Sequence, residues 1–168
     1  LEDTYTFEDA LLVGSMLITL LKHADRVKIA CMAQLVNVIA PIMTAPGGGA
    51  WRQTIYYPFL HASRFGRGTV LRPVLDAPQM QTKALGAVPN VDAVAVEAED
   101  GSLTIFAVNK DLENDVLLQA DLRAFPELKL PSHIQLHADD VKACNTLEAP
   151  DCVAPRNGEG GTIENGRL

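Results

Sequence analysis

Apolar positions in the first part of the chain follow a helical spacing. Over residues 6–23, Leu11, Leu12, Met16, Leu20 and Leu21 recur at helical intervals behind Thr6 and Asp9, which stand in the relation of a capping residue and its third-position acid. This predicts a helix with one buried face. Asp25-Arg26 then turns the chain into residues 27–33, a short apolar and β-branched run bounded by charge, which predicts a buried strand. A helix followed at once by a buried strand is an α/β pattern. After the apolar stretch 35–43, Ala45-Pro46-Gly47-Gly48-Gly49 predicts a loop. Residues 54–65 place Ile55, Phe59, Leu60 and Ala62 on one side ahead of Gly66, and so predict a second helix. Pro58 falls in its first turns, where a missing donor costs least.

From Thr69 onward the helical spacing disappears. Short apolar runs recur between turn residues at 70–75, 91–96, 103–108, 116–122 and 134–136, predicting an antiparallel β region. Between the second and third runs, the acidic, glycine-containing segment 97–102 is a hairpin signal. Residues 157–168 are polar and glycine-rich without a strand pattern, and are expected to be loose or truncated. The pattern describes a helix–strand–helix piece joined near residue 68 to a β-sandwich-like region. Neither piece is self-sufficient, because a lone buried parallel strand needs neighbours that no other segment supplies.

Charge and cysteine usage narrow the function classes. With 14 basic against 21 acidic residues and a formal net charge of −7, the chain repels phosphate backbones and anionic membrane surfaces, so no nucleic acid is expected as partner. Lys22, His23, Asp25, Arg26 and Lys28 interrupt the apolar first third before it reaches the roughly 18 apolar residues of a membrane span. Cys31, Cys144 and Cys152 form no CxxC pair, and their odd number argues against a disulfide framework and for a reducing compartment. Cys144 and Cys152 are expected as thiols rather than a bridge. No His, Cys and carboxylate cluster has metal-ligand spacing, and Gly47-Gly48-Gly49 is not placed as a phosphate loop, so neither metal nor cofactor is expected. The start, Leu1-Glu2-Asp3-Thr4, has no initiator Met and no basic leader, and reads as a cut through a longer protein.

Ordered blocks along the chain carry a family resemblance. They are Phe7-Glu8-Asp9-Ala10-Leu11-Leu12-Val13-Gly14, His23-Ala24-Asp25-Arg26-Val27-Lys28-Ile29-Ala30, Ala33-Gln34-Leu35-Val36-Asn37-Val38-Ile39-Ala40-Pro41-Ile42 and Trp51-Arg52-Gln53-Thr54-Ile55-Tyr56-Tyr57-Pro58-Phe59. Together they closely resemble the α-L-arabinofuranosidases of glycoside hydrolase family 51. The likeness continues through His61-Ala62-Ser63, Gly66-Arg67-Gly68 and Leu103-Thr104-Ile105-Phe106-Ala107-Val108-Asn109, and weakens past about Phe125. It implies an α/β plus all-β chain: the C-terminal end of a (β/α)8 TIM barrel over residues 1–68, then a jelly-roll β-sandwich over 69–168, with its last strand missing. On that alignment 6–23 is the helix before the last barrel strand, 27–33 is the strand, and 54–65 is the closing helix.

The resemblance also implies an activity that this chain does not complete. The family releases terminal arabinofuranosyl residues from arabinoxylan and arabinan fragments with retention, using two carboxyl groups about 5 Å apart. No Glu or Asp here matches either family motif, so no catalytic residue is expected in this chain and the isolated chain should be silent. Glu2, Asp3, Glu8 and Asp9 cluster near a helix start, where the dipole favours acids. Gln34 is the one substrate contact carried over by the resemblance, just past the last strand on the rim where barrel sites lie. A neutral amide suits sugar hydroxyls because it both donates and accepts; without the family match, Gln34 reads as a satisfied polar core residue. Asn37 reads as a backbone-bonding turn residue, with support of Gln34 from behind as the alternative.

Trp51 beside Arg52 reads either as a sugar-stacking platform or as packing over the barrel end. His23 and His61 read as structural. The implied partners are arabinofuranosyl oligosaccharides, the remainder of the parent chain and further copies, hexamers being common in the family, in a cytoplasmic setting. The competing reading takes 69–168 as a noncatalytic carbohydrate-binding or assembly module. It has little support, since Phe106 and Phe125 are the only aromatics after residue 68.

Overall fold

In the computed structural model, which describes residues 3–125, 127–130 and 132–168, helix α1 spans Phe7–Lys22. Its start is the one the sequence predicts. The Thr6 backbone N–H donates to Asp9 Oδ2 at 2.7 Å and the Thr6 hydroxyl donates to the same oxygen at 2.9 Å. Thr6 itself is extended, so Asp9 closes the first turn from inside and adds negative charge where the dipole favours it. Glu8, its neighbour, pairs with Lys142. Leu1 and Glu2 lie outside the described residues.

Strands β1 (Ile42–Thr44) and β2 (Ala50–Arg52) form an antiparallel hairpin around the glycine loop, with Met43 opposite Trp51. Sequence pattern foresees the loop but not its strands, which are short and half exposed. Helix α2 spans Tyr56–Phe65, two residues later than predicted, because Thr54 is spent elsewhere. Its fully buried hydroxyl donates to the Thr6 carbonyl at 2.5 Å, tying the two helix starts together. Past α2, Gly68 has φ +142°, and a Cβ there would stand 2.1 Å from the Glu97 carbonyl oxygen. Only glycine passes this closely to a strand.

Strands β3 (Thr69–Leu71), β6 (Val91–Glu97) and β7 (Leu103–Asn109) make an antiparallel sheet in the order β3-β6-β7. The predicted hairpin is its centre, with Glu97 opposite Leu103 and Val91 opposite Asn109. Val91, Ala93, Val94, Ala95 and Val96 are all buried, as a central strand under a helix requires, and α1 packs on β6 and β7 as well as on α2. β3 stops at Leu71, short of the predicted 75, where Pro73 can donate no ladder bond. Between β3 and β6, strands β4 (Gln79–Thr82) and β5 (Gly86–Pro89) form a hairpin that was not predicted. β8 (Ile134–Gln135) pairs with β9 (Arg156–Asn157). A second cluster packs Phe7, Ala10 and Val153 against Leu136 and Val141, seating the start of α1 on the late β region.

Three expectations need correction. Residues 27–33 form no strand and are largely exposed, with Ile29 at 84% exposure. A strand exists only through its ladder, and no other described segment runs alongside. Residues 116–122 form no strand either, only a bridge from Asp121 to Arg167. Conversely, the tail that was expected to be loose folds back on that segment: Leu122 N–H donates to the Gly166 carbonyl at 2.7 Å, and Ala120 and Leu168 exchange both backbone bonds. Arg123 beside Asp121 holds that carboxyl down to about 2.

Candidate functional site

Gln34 opens a loop with an unusual backbone. It is exposed, and Gln34, Asn37 and Val38 all take positive φ, at 54°, 61° and 59°. For Val38 this is a strained conformation, since a β-branched side chain crowds the backbone there at a cost on the order of 1–3 kcal/mol. The loop closes on itself. Val36 bridges Ile42, Asn37 N–H donates to the Ile42 carbonyl at 2.8 Å, and Ala40 N–H donates to the Asn37 carbonyl at 3.0 Å.

Asn37 behaves as a turn residue. Its Oδ1 accepts the Thr44 N–H at 2.8 Å, and its Nδ2 donates to the Thr44 hydroxyl at 2.9 Å. These bonds fasten the loop to β1; its described hydrogen bonds do not include Gln34.

A residue that sequence reasoning did not single out lies beneath this loop. Gln53, at 2% exposure, donates from Nε2 to the Ala40 carbonyl at 2.9 Å and to the Asp3 carbonyl at 3.0 Å. Its Oε1 accepts the Tyr5 N–H at 2.9 Å. All the bonding capacity that a buried amide needs is thereby met between the loop and the segment leading into α1. The Tyr5 hydroxyl adds a bond to the Ile39 carbonyl at 3.1 Å, and partial burial, with Asp3 and Asp9 nearby, raises its pKa so that it stays a donor. Gln53 lies in one of the blocks that carry the family resemblance, but a single amide has no periodicity that marks it as buried.

Next to the loop, Ile42, Trp51, Arg52, Tyr56, Pro150 and Asp151 line an open cleft of about 320 Å³. Trp51 is half-buried on β2, and the Arg52 guanidinium stands 5.5 Å above the Tyr56 ring. The histidines have structural surroundings. His23 ends α1, with its Nδ1 3.0 Å from Arg26, and His61 is half-buried beside Phe65. Burial, then the neighbouring Arg64, pushes the His61 imidazole below its ordinary pKa. The three cysteines are free thiols, Cys31 and Cys152 exposed and Cys144 partly buried. Among the described residues no group of His, Cys, Asp and Glu side chains is arranged to hold a metal. Nor, among them, is any helix long and apolar enough to cross a membrane.

The family described as the alpha-L-arabinofuranosidase C-terminal domain matches residues 1–168. An intracellular exo-alpha-(1->5)-L-arabinofuranosidase of Halalkalibacterium halodurans is 53% identical over 169 residues, covering 100% of this chain and 33% of that protein. The protein of the same description from Acetivibrio thermocellus is 51% identical over 170 residues, covering 100% of this chain and 34% of its own length. A solved family 51 alpha-L-arabinofuranosidase from Bifidobacterium longum superposes with a TM-score of 0.91 at 43% identity, over 99% of this chain and 33% of that one. The chain therefore spans about a third of the length of the proteins it matches. Matched from end to end, and laid over the last third of solved relatives, the chain belongs to the family of alpha-L-arabinofuranosidase C-terminal domains.

Proposed function

We propose that this chain is the C-terminal third of a retaining, exo-acting α-L-arabinofuranosidase of glycoside hydrolase family 51. In this reading residues 1–68 complete the (β/α)8 barrel, residues 69–168 form a jelly-roll sandwich, and both catalytic glutamates stand on the part of the enzyme upstream. Residues 27–33 become the last barrel strand once neighbouring staves are present. Gln34 then lies at the C-terminal rim and hydrogen-bonds the arabinose, with Asn37 fastening the loop behind it. The substrates are arabinofuranosyl oligosaccharides of the arabinan and arabinoxylan type. The setting is cytoplasmic, in keeping with relatives named intracellular, and the enzyme assembles as a homo-oligomer.

One observation carries this reading. Ile29, Leu35, Val36 and Val38 are exposed at 84%, 68%, 42% and 45%, and on α1 Leu12 and Met16 are exposed at 59% and 58%. So much exposed apolar surface suits an interface, and residues 28–33, whose backbone finds no hydrogen-bond partner among the described residues, need partners of the kind a barrel supplies. The acids at the start of α1 have other employment, Asp9 in the cap and Glu8 with Lys142.

The test is hydrolysis of an aryl α-L-arabinofuranoside. The full-length enzyme is expected to turn it over with retention, and the purified 168-residue chain to release nothing above buffer. Activity in the isolated chain would overturn the assignment of both carboxylates to the upstream part.

A further inference from the structure

We propose that Gln53 is a positioning residue for the substrate: together with Tyr5 and Asp3 it pins the strained turn after Gln34 and so fixes where Gln34 meets the sugar. The proposal rests on the role given to Gln34 above. Its basis is a run of consecutive carbonyls, each of which has a donor. The Val38 carbonyl accepts from Asp3 N–H at 2.8 Å, Ile39 from the Tyr5 hydroxyl at 3.1 Å, and Ala40 from Gln53 Nε2 at 2.9 Å. Pro41 then accepts from the Gln53 backbone N–H and Ile42 from Asn37 N–H, both at 2.8 Å.

A turn holding Val38 at φ 59° relaxes unless its surroundings over-determine it. Those five bonds do so, and Gln53 makes two of them from a buried position. A glutamine is the side chain that fits, because one planar amide accepts the Tyr5 N–H while presenting two donors to two carbonyls. Glutamate has the same shape but no Nε2 donors, and would set an oxygen against the Ala40 and Asp3 carbonyls. The turn begins three residues after Gln34 and is closed by the bridge between Val36 and Ile42, so loss of the pins moves the Gln34 backbone with it. A glycone subsite is sensitive to such movement, since a displacement of about 1 Å can cost on the order of a hundredfold in rate.

The experiment uses the full-length enzyme and an aryl α-L-arabinofuranoside, assayed well below the melting temperature. Gln53→Met and Gln53→Glu are compared with Gln34→Ala, with the double variant Gln34→Ala/Gln53→Met, and with Val94→Ala as a core-destabilised control in β6. Positioning predicts a loss of kcat/KM of at least about tenfold for both Gln53 variants and none for Val94→Ala. It also predicts that Gln53→Met costs less than about twofold once Gln34 is already alanine, the non-additivity of residues acting through one contact. A Gln53→Met enzyme within about twofold of wild type, or a loss that multiplies fully onto that of Gln34→Ala, overturns the proposal while leaving Gln34 in its place. An unchanged kcat/KM in Gln34→Ala removes Gln34 from the site, and this proposal with it. Should Gln53→Met not yield folded enzyme, Tyr5→Phe removes a single pin from the same turn and carries the same double-variant test.

Discussion

His61 shows how little of a residue's role its identity reveals. An imidazole on an amphipathic helix could serve an active site, but here burial, then Arg64, depresses its pKa and so favours the neutral form. The unfolded chain therefore takes up more protons than the folded one once pH drops to about 6.5, the ordinary histidine value, so stability is full above that value and falls as pH is lowered through it. Urea unfolding of the isolated chain between pH 8 and pH 5 is expected to show this decline, and His61→Leu to flatten it; an unchanged slope in the variant would move the effect to another group. Asn37 was legible in the sequence, whereas the role of Gln34 is a proposal. Gln34 is exposed in this chain, and its contact with a sugar rests on the family resemblance. Asn37 emerged from turn chemistry, and its bonds to Thr44 are of that kind. Gln53 and the strain at Val38 were not legible, because buried partners and positive φ arise from chain crossings that no local spacing records.

At the scale of elements, the parts whose hydrogen bonds are local were the ones that sequence reached. The capped start of α1, α2 with its early proline and the β6–β7 hairpin all follow from spacing and turn residues. The β4–β5 hairpin escaped notice because Gln79, Gln81 and Thr82 offer no apolar run, and the tail because its pairing with residues 120–122 uses backbone alone. Residues 27–33 failed in the opposite way: their composition is that of a buried strand, but burial and ladder both depend on partners elsewhere. Helix α1 carries the same message on its outer face. Leu12→Ala and Met16→Ala should leave the isolated chain within about 0.5 kcal/mol of its original stability, as exposed substitutions do. In the full-length enzyme, where our proposal buries that face, each should cost about 2–5 kcal/mol, read from denaturant or thermal unfolding. Equal effects in both settings would mean that nothing docks on α1.

For the whole molecule, the sheet-rich second part and the two leading helices are packed into one another, with α1 on β6 and β7 and the start of α1 on the cluster around Val153. Position 68 is therefore a change of pattern along the sequence and, by our proposal, the seam between a barrel and a sandwich that share a core. By our proposal residues 27–33, which form no strand here, gain a ladder only when the upstream barrel stands beside them. Hydrogen exchange followed by mass spectrometry reads it directly. In the 168-residue chain those amides are expected to exchange at nearly the rate of an unstructured peptide, and in the full-length enzyme to be protected as strongly as those of β6. Fast exchange of residues 27–33 in the full-length enzyme would mean that no barrel strand forms there.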